Sequence, residues 1–216
     1  GDVIPKIVSV IEPARPESRE IISIPTSCPA CGAGLERSGD IMYRCSAGAL
    51  CTAQLKESIR HFSSRSALNV DGLGDKLISQ LVDAGLVGDA ADLFELDQSE
   101  LIKLDRMGEK SARNILLAID KSRDTTLSRV LFALGIREVG ETTAVSLANN
   151  FQNLDALACA SHESLEEIED VGPVVAANII SFFSDLNNLT MIRKLEQFGV
   201  KIGHTNIPNQ MKNSPL

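Results

Sequence analysis

Four of the five cysteines stand close together, as Cys28-x2-Cys31 and, thirteen residues on, Cys45-x5-Cys51. In the run Cys28-Pro29-Ala30-Cys31-Gly32 two thiolates can point at one centre about 2.3 Å away, as a tetrahedral zinc site requires. Two such pairs close the coordination shell and leave no position for a substrate, so the zinc would be structural and not catalytic. The other readings are a pair of disulfides, disfavoured by the cytosolic character of the chain, and four unrelated thiols, disfavoured by the clustering. By spacing alone Cys51 is the least secure ligand, because its gap of five departs from the usual two. His61 could substitute, but it reads as a surface or packing histidine. A module this small has little core, and the metal would supply much of its folding energy.

A second constellation is made of glycines. The runs Val70-Asp71-Gly72-Leu73-Gly74, Leu104-Asp105-Arg106-Met107-Gly108, Ile136-Arg137-Glu138-Val139-Gly140 and Ile168-Glu169-Asp170-Val171-Gly172 end on glycines 34, 32 and 32 residues apart, an internal repeat. Four residues after each final glycine stand Ile78, Ala112, Ala144 and Ala176; seven after stand Leu81, Ile115, Leu147 and Ile179; eight after stand Val82, Leu116, Ala148 and Ile180. That spacing is one face of an α-helix. Each copy therefore reads as a short helix, a tight turn ending in glycine, and a second amphipathic helix.

The chemistry available there is anion binding. A helix start has unpartnered N–H groups and partial positive charge. Glycine is expected to allow positive φ and to let a large anion approach without meeting a Cβ atom. Lys76 and Lys110 follow the first two turns, and Ser111 follows Lys110, which favours a nucleic-acid phosphate over the alternative of loop glycines in a stacked helical repeat. Only the first copy has both glycines, Gly72 and Gly74. Arg106, Glu138 and Asp170 take the first position elsewhere, and an acidic tip opposes phosphate. Copy three, around Gly140, keeps some capacity through Arg137, Thr142 and Thr143. Copy four has Pro173 after Gly172, which removes one donor. The expected order is copies one and two, then three, then four.

The elements that position these groups follow in order. Residues 1–24 read as one edge strand, VIPKIVSVI, and a proline-rich charged linker; residues 25–56 as the four-cysteine module; residues 57–203 as the helical repeats; and 204–216 as linker or tail. A helix over 54–64 leads into copy one. Short helices are expected near 90–96 and 99–104, the latter with Asp97 and Glu100 as a capping box, and near 127–134, 153–158 and 163–168. Cys159 reads as a small buried hydrophobe. The fold class is thus mainly α, four tandem repeats behind a small zinc finger and a residual β-strand.

At 44% hydrophobic residues the chain can bury a core. A net charge of −8 has the wrong sign for indiscriminate coating of nucleic acid, so any DNA role rests on local cations such as Lys76, Arg106, Lys110, Arg113 and Arg137. With 4% aromatics and no Trp there is no platform for stacking unpaired bases, which leaves duplex backbone contact. Neither a secretory leader nor a membrane-length apolar run is visible, so a cytoplasmic protein is expected. Gly1 stands directly before the strand, which reads as a piece of a longer chain.

The repeats resemble tandem helix-hairpin-helix motifs, which bind DNA through its backbone. A four-cysteine module followed by four of them resembles the C-terminal half of bacterial NAD-dependent DNA ligases, on the runs CPACG, RCSAGALCTAQLKESIRHF, NVDGLGDKLISQLVDAGLV, RMGEKSARNILLAIDKS and FALGIREVGETTA. In that family the gap of five before Cys51 is the expected one. The resemblance implies an enzyme that adenylates a lysine from NAD and seals nicks in duplex DNA with magnesium assisting, during replication and repair. It further implies a structural zinc at Cys28, Cys31, Cys45 and Cys51, a monomer, and the remaining ligase domains in cis. The adenylated lysine sits in a Lys-x-Asp-Gly motif that this sequence lacks, so catalytic residues are expected elsewhere and this part alone would be inactive. Two rivals are a helix-hairpin-helix DNA glycosylase, using Val171-Gly172-Pro173 with Asp185 downstream, and a protein-binding scaffold that ignores DNA.

Overall fold

The computed structural model describes residues 6, 8, 9, 11, 23–38 and 42–203. The expected strand over 3–11, the linker over 12–20 and the tail after Gly203 fall wholly or mostly outside the described residues. The chain divides into two compact units, residues 1–46 and 47–216.

In the first unit, strands β1 (Leu35–Ser38) and β2 (Met42–Cys45) pair antiparallel, with Leu35 opposite Cys45 and Ser38 opposite Met42. The cysteine knuckle precedes them. The Gly32 amide donates to the Cys28 carbonyl at 2.8 Å and the Cys28 amide to the Ala33 carbonyl at 2.7 Å, a tight loop in which Gly32 takes φ 76°. Most of β1 and β2 is exposed, so backbone pairing carries this unit more than any buried apolar layer does.

The second unit is helical. In order come α1 (Thr52–Ser63), α2 (Asp75–Asp83), a 3-10 helix (Ala90–Glu95), α3 (Gln98–Leu101), α4 (Glu109–Lys121), β3 (Asp124–Thr126) and α5 (Leu127–Ala133). There follow α6 (Glu141–Asn150), α7 (Leu154–Ala158), α8 (His162–Glu166), α9 (Pro173–Ser184), α10 (Leu186–Gln197) and β4 (Lys201–Gly203). The residues four and seven after each repeat glycine are buried in all four copies, and they form one core with Ile59, Phe62, Leu93, Leu131 and Leu165. Fully burying a Leu or Ile contributes about 1.5–3 kcal/mol, so Ile78, Leu81, Ile115, Leu147 and Ile179 each add substantially to the stability of the repeats, while Ala112, Ala144 and Ala176 allow close helix packing. The eighth position drifts outward, to half-buried at Leu116 and exposed at Ile180, because it lies at the edge of the buried stripe. None of the helices among the described residues is long and apolar enough to cross a membrane.

Each connecting segment starts on a side chain that caps it. Asp89 accepts from the Ala91 and Asp92 amides, and Asp92 reciprocates through the Asp89 amide, a complete capping box on the 3-10 helix. At α3, Asp97 accepts from the Glu100 amide at 3.0 Å and from the Ser99 hydroxyl at 2.7 Å. Cys159 is exposed, contrary to expectation. It is the residue on which α7 ends, and Leu154 and Leu157 take the inward positions of that short helix.

Two long-range ties draw the end of the chain back onto its first half. The Lys194 ammonium on α10 donates to Asp89 and Asp92 at 2.7 Å each. The Arg123 guanidinium lies over the Phe94 ring, 5.1 Å from its centroid, donates to the Phe94 carbonyl at 3.1 Å and also reaches the Phe198 carbonyl. β4 then pairs parallel with β3, Asp124 opposite Lys201. Burial alone would raise the Asp92 pKa, but the Lys194 hydrogen bond and the Gly88 and Asp89 amides outweigh it and hold the carboxyl below its ordinary value. Lys194 is raised by its bonds to Asp89 and Asp92.

A depressed aspartate stabilises the fold above its unfolded pKa of about 3.9 and loses that contribution as pH falls through the lower folded value. A raised lysine does the reverse, stabilising fully below about 10.4 and losing this above it. Lys194→Met is therefore expected to lower unfolding free energy by about 1–2 kcal/mol at pH 7, less than a fully buried pair because Lys194 remains a third exposed. In urea titrations the gap between variant and wild type should shrink below about pH 4; a gap constant down to pH 2 would contradict the assignment.

Candidate functional site

The four thiols come together. The Sγ atoms of Cys28, Cys31, Cys45 and Cys51 all lie within 4.8 Å of one another, and those of Cys31 and Cys45 are 3.4 Å apart. A tetrahedron with zinc–sulfur bonds of about 2.3 Å has sulfur–sulfur edges of about 3.8 Å, so the set fits one zinc-sized ion. The 3.4 Å separation is well beyond the roughly 2.05 Å of a disulfide. The Ala30 and Cys31 amides pull the Cys28 thiol down to about 7, against the opposing effect of burial, which brings it toward the thiolate that a metal takes. His61 is no part of the cluster. Its Nε2 lies 2.7 Å from the Phe132 carbonyl oxygen, and its ring packs 4.7 Å from that of Phe132.

The four repeat turns share a left-handed third residue. Gly72, Arg106, Glu138 and Asp170 take φ 92°, 57°, 63° and 68°, and the amides of Met107, Val139 and Val171 donate back to Leu104, Ile136 and Ile168. Positive φ at the third turn residue is the mark of a type II turn. Its flanks are the apolar pairs Val70 and Leu73, Leu104 and Met107, Ile136 and Val139, Ile168 and Val171, all buried or half-buried, while the two residues between them are exposed in every copy. Apolar anchors thus hold each turn with its polar tip outward. Only copy one carries the unstrained residue. At Gly72 a Cβ would also stand 3.3 Å from Ile115 Cγ1, a close contact that the Ile115 side chain would have to relieve, so glycine is favoured there on both counts.

The final glycines do not take the positive φ that the sequence led us to expect. Gly74, Gly108, Gly140 and Gly172 are extended, at φ −88°, −90°, −85° and −89°, because the left-handed position falls two residues earlier. Each is the N-cap of the following helix, its carbonyl accepting from Ile78, Ala112, Ala144 or Ala176. Any residue tolerates that backbone, and a Cβ added at any of the four would meet nothing within 4 Å. Ser161 has nearly the same conformation as Gly108, φ −80° and ψ 161° against −90° and 161°, and uses its hydroxyl to cap the Ser164 amide.

The contrast is systematic. The 3-10 helix, α3, α5, α7, α8 and α10 are capped by the side chains of Asp89, Asp97, Thr126, Asn153, Ser161 and Asp185. The second helices of the four hairpins, α2, α4, α6 and α9, start on glycine with no side-chain cap. Helix α1 and the short 3-10 turn Gly48–Leu50 before it also lack one; their cap residues are Cys51 of the thiol cluster and Ala47.

Around these starts the sequence-predicted residues divide. Lys76, Arg106, Lys110, Ser111, Arg113, Arg137 and Thr142 are exposed beside their turns. Thr143 is not: it is 8% exposed, on the inward face of α6 beside Ala144. Arg106 lies 3.6 Å from Asp105. Asp75, Glu109 and Glu141 at the first helical positions were missed; they offset part of the positive end of each dipole. Their place directly after the glycine was the available signal. Asp185, the carboxylate that a glycosylase reading needs, accepts from the Asn187 amide at 2.8 Å as the cap of α10.

Comparison with known proteins agrees with this geometry. The family described as helix-hairpin-helix motif matches residues 129–192, and the family described as SAM-like helix-hairpin-helix tandem matches residues 64–121. A protein named DNA ligase from Saccharophagus degradans is 51% identical over 201 residues, which is 93% of this chain and 30% of the relative. The chain thus spans about a third of the length of that relative. A mainly helical fold with hairpin motifs behind a four-cysteine cluster, joined to this identity, places the chain in the bacterial DNA ligase family.

Proposed function

We propose that this chain is the duplex-gripping part of an NAD-dependent DNA ligase, holding nicked DNA by its phosphates while domains in the rest of the enzyme adenylate and seal. One observation carries the reading: four glycines stand at helix starts where nothing inside the chain asks for glycine, while the capped connecting helices use side chains. What each leaves open is a set of amides without a side-chain cap and room for a large anion. A phosphate oxygen accepts from such amides and interacts favourably with the helix dipole. Turns one and two lead, through Lys76 and Lys110 with Arg106 and Ser111; turn three follows with Arg137 and Thr142; turn four, with Asp170 at its tip and Pro173 after its glycine, comes last. The relative named DNA ligase supports the setting.

In the same reading the four cysteines hold a structural zinc, four thiolates leaving no site for reaction. NAD and magnesium belong to the full-length enzyme. The Lys-x-Asp-Gly motif is absent from this chain, which would therefore bind a nick without closing it.

Three measurements bear on this reading. Fluorescence anisotropy with a nicked duplex should show Lys76→Gln and Lys110→Gln binding more weakly to all sequences alike, with the salt slope lower by about 1 each; dependence on base sequence would argue against phosphate contact. Gly108→Ser should raise the melting temperature slightly, since serine at an N-cap gains a few tenths of a kcal/mol over glycine, yet weaken DNA binding because its hydroxyl takes the amide that phosphate would use. Unchanged affinity in a folded Gly108→Ser would remove the central support. A strong zinc chelator, or Cys45→Ser, should unfold the module over residues 25–56, seen as loss of dispersed amide NMR signals; signals that survive chelation would refute the structural role.

A further inference from the structure

Two arginines outside the hairpins meet at one place. Arg129, on α5, donates from Nη2 to the backbone carbonyl of Arg65 at 2.7 Å. The Arg65 side chain is exposed, and Arg129 is half-buried. Neither has a carboxylate within ion-pairing distance among the described residues, although acidic groups outnumber basic ones 29 to 21 in the chain. Some other cations of the same unit are paired, Lys56 with Asp83, Arg60 with Glu57, Arg123 with Asp120 and Lys194 with Asp89 and Asp92, whereas Arg65 and Arg129 share their unpaired state among the described residues with cations beside the turns such as Lys76, Lys110 and Arg137. The Arg129 guanidinium is thus fixed at the backbone of a residue that carries a second, exposed guanidinium, and an anion that both side chains reach would be attracted by both.

Their place in the fold joins two hairpins. Arg65 lies in the bend between α1 and the first turn, where Ser64 accepts from the Ala67 and Asn69 amides and the Val70 amide donates to Ser63. Helix α5 runs into the third turn at Ile136. The contact of His61 with Phe132 packs α1 on α5 beside them. Arg129 spends one of its five N–H donors on the Arg65 carbonyl, which fixes the guanidinium and leaves its other donors for a second partner.

We propose that Arg65 and Arg129 together form a phosphate-binding site for the duplex backbone, placed where the approaches to hairpins one and three meet. This rests on the reading of the hairpins as DNA contacts and adds a contact that no glycine turn marks. Guanidinium forks suit phosphate oxygens, and the contact carries no base preference.

The test is anisotropy of the full 216-residue chain with nicked duplexes of two unrelated sequences, across salt, for wild type, Arg65→Gln, Arg129→Gln, Arg129→Lys and Lys110→Gln, with melting curves for each. Arg65→Gln and Arg129→Gln should each weaken binding about fivefold near 0.1 M salt, on both sequences, and lower the salt slope by about 1. Arg129→Lys should keep the slope and lose part of the affinity. If Arg129→Gln melts several degrees lower, Arg65→Gln decides alone, because its side chain has no described partner to lose. Wild-type affinity and slope in Arg65→Gln, with Lys110→Gln weakened, would overturn this site and leave the hairpin reading standing. Absence of binding by wild type itself would sink the hairpin reading, and this site with it.

Discussion

The anchoring of each hairpin by two apolar residues around a left-handed backbone position is the constraint on which the repeats depend. Val70 and Leu73, or Ile136 and Val139, are buried while the residues between them are not, and that alternation forces the turn outward. The next residue is then the cap of an emerging helix. Where the connecting helices spend a side chain on that cap, the hairpins spend none. A side-chain cap and an incoming anion would compete for the same amides, and the hairpin helices leave those amides without a side-chain cap.

The strain falls unevenly. In copies two, three and four an L residue occupies the left-handed position, at about 1–2 kcal/mol each, and the buried flanks must offset it. Copy one avoids that cost with Gly72. The residues that bear the strain, Arg106, Glu138 and Asp170, are also the exposed tips, so they set the charge that a phosphate would meet. One backbone shape thus presents a cation, or a carboxylate, without changing its geometry. Closure at the far end has a different origin. Lys194 and Arg123 pin α10 and the residues after it to the 3-10 helix and to Phe94, so the last repeat is tied to the first half through charge and carbonyl contacts as well as packing.

Much of this was legible in the sequence because it repeats. The period of the glycines placed the helices, and the fourth and seventh positions after each glycine predicted buried residues in all copies. The eighth position failed at Ile180 because α9, PVVAANIISFFS, is uncharged throughout and its composition does not say which side faces inward. The burial of Thr143 was hidden for a related reason: a threonine reads as polar, but in α6 it lies on the buried face. The positive φ was assigned to the final glycine when it belongs two residues earlier, since only copy one has glycine at the position that needs it. The clustering of the cysteines made Cys28, Cys31 and Cys45 legible, whereas Cys51, after a gap of five, was secured only by the family resemblance. The pairing of Arg129 with Arg65, 64 residues apart, and of Lys194 with Asp89, 105 apart, has no local signature, because only the folded chain brings them together.

The central claim concerns amides, and amides can be watched directly. Titrating a nicked duplex into the isotopically labelled chain and following backbone 1H–15N shifts should move the N–H signals of Lys76, Leu77, Lys110 and Ser111 downfield and most strongly, with those of the side-chain-capped starts at Ala156 and Ser164 little changed. Shifts concentrated at the capped helices, or on the outer faces far from the glycine turns, would contradict the account.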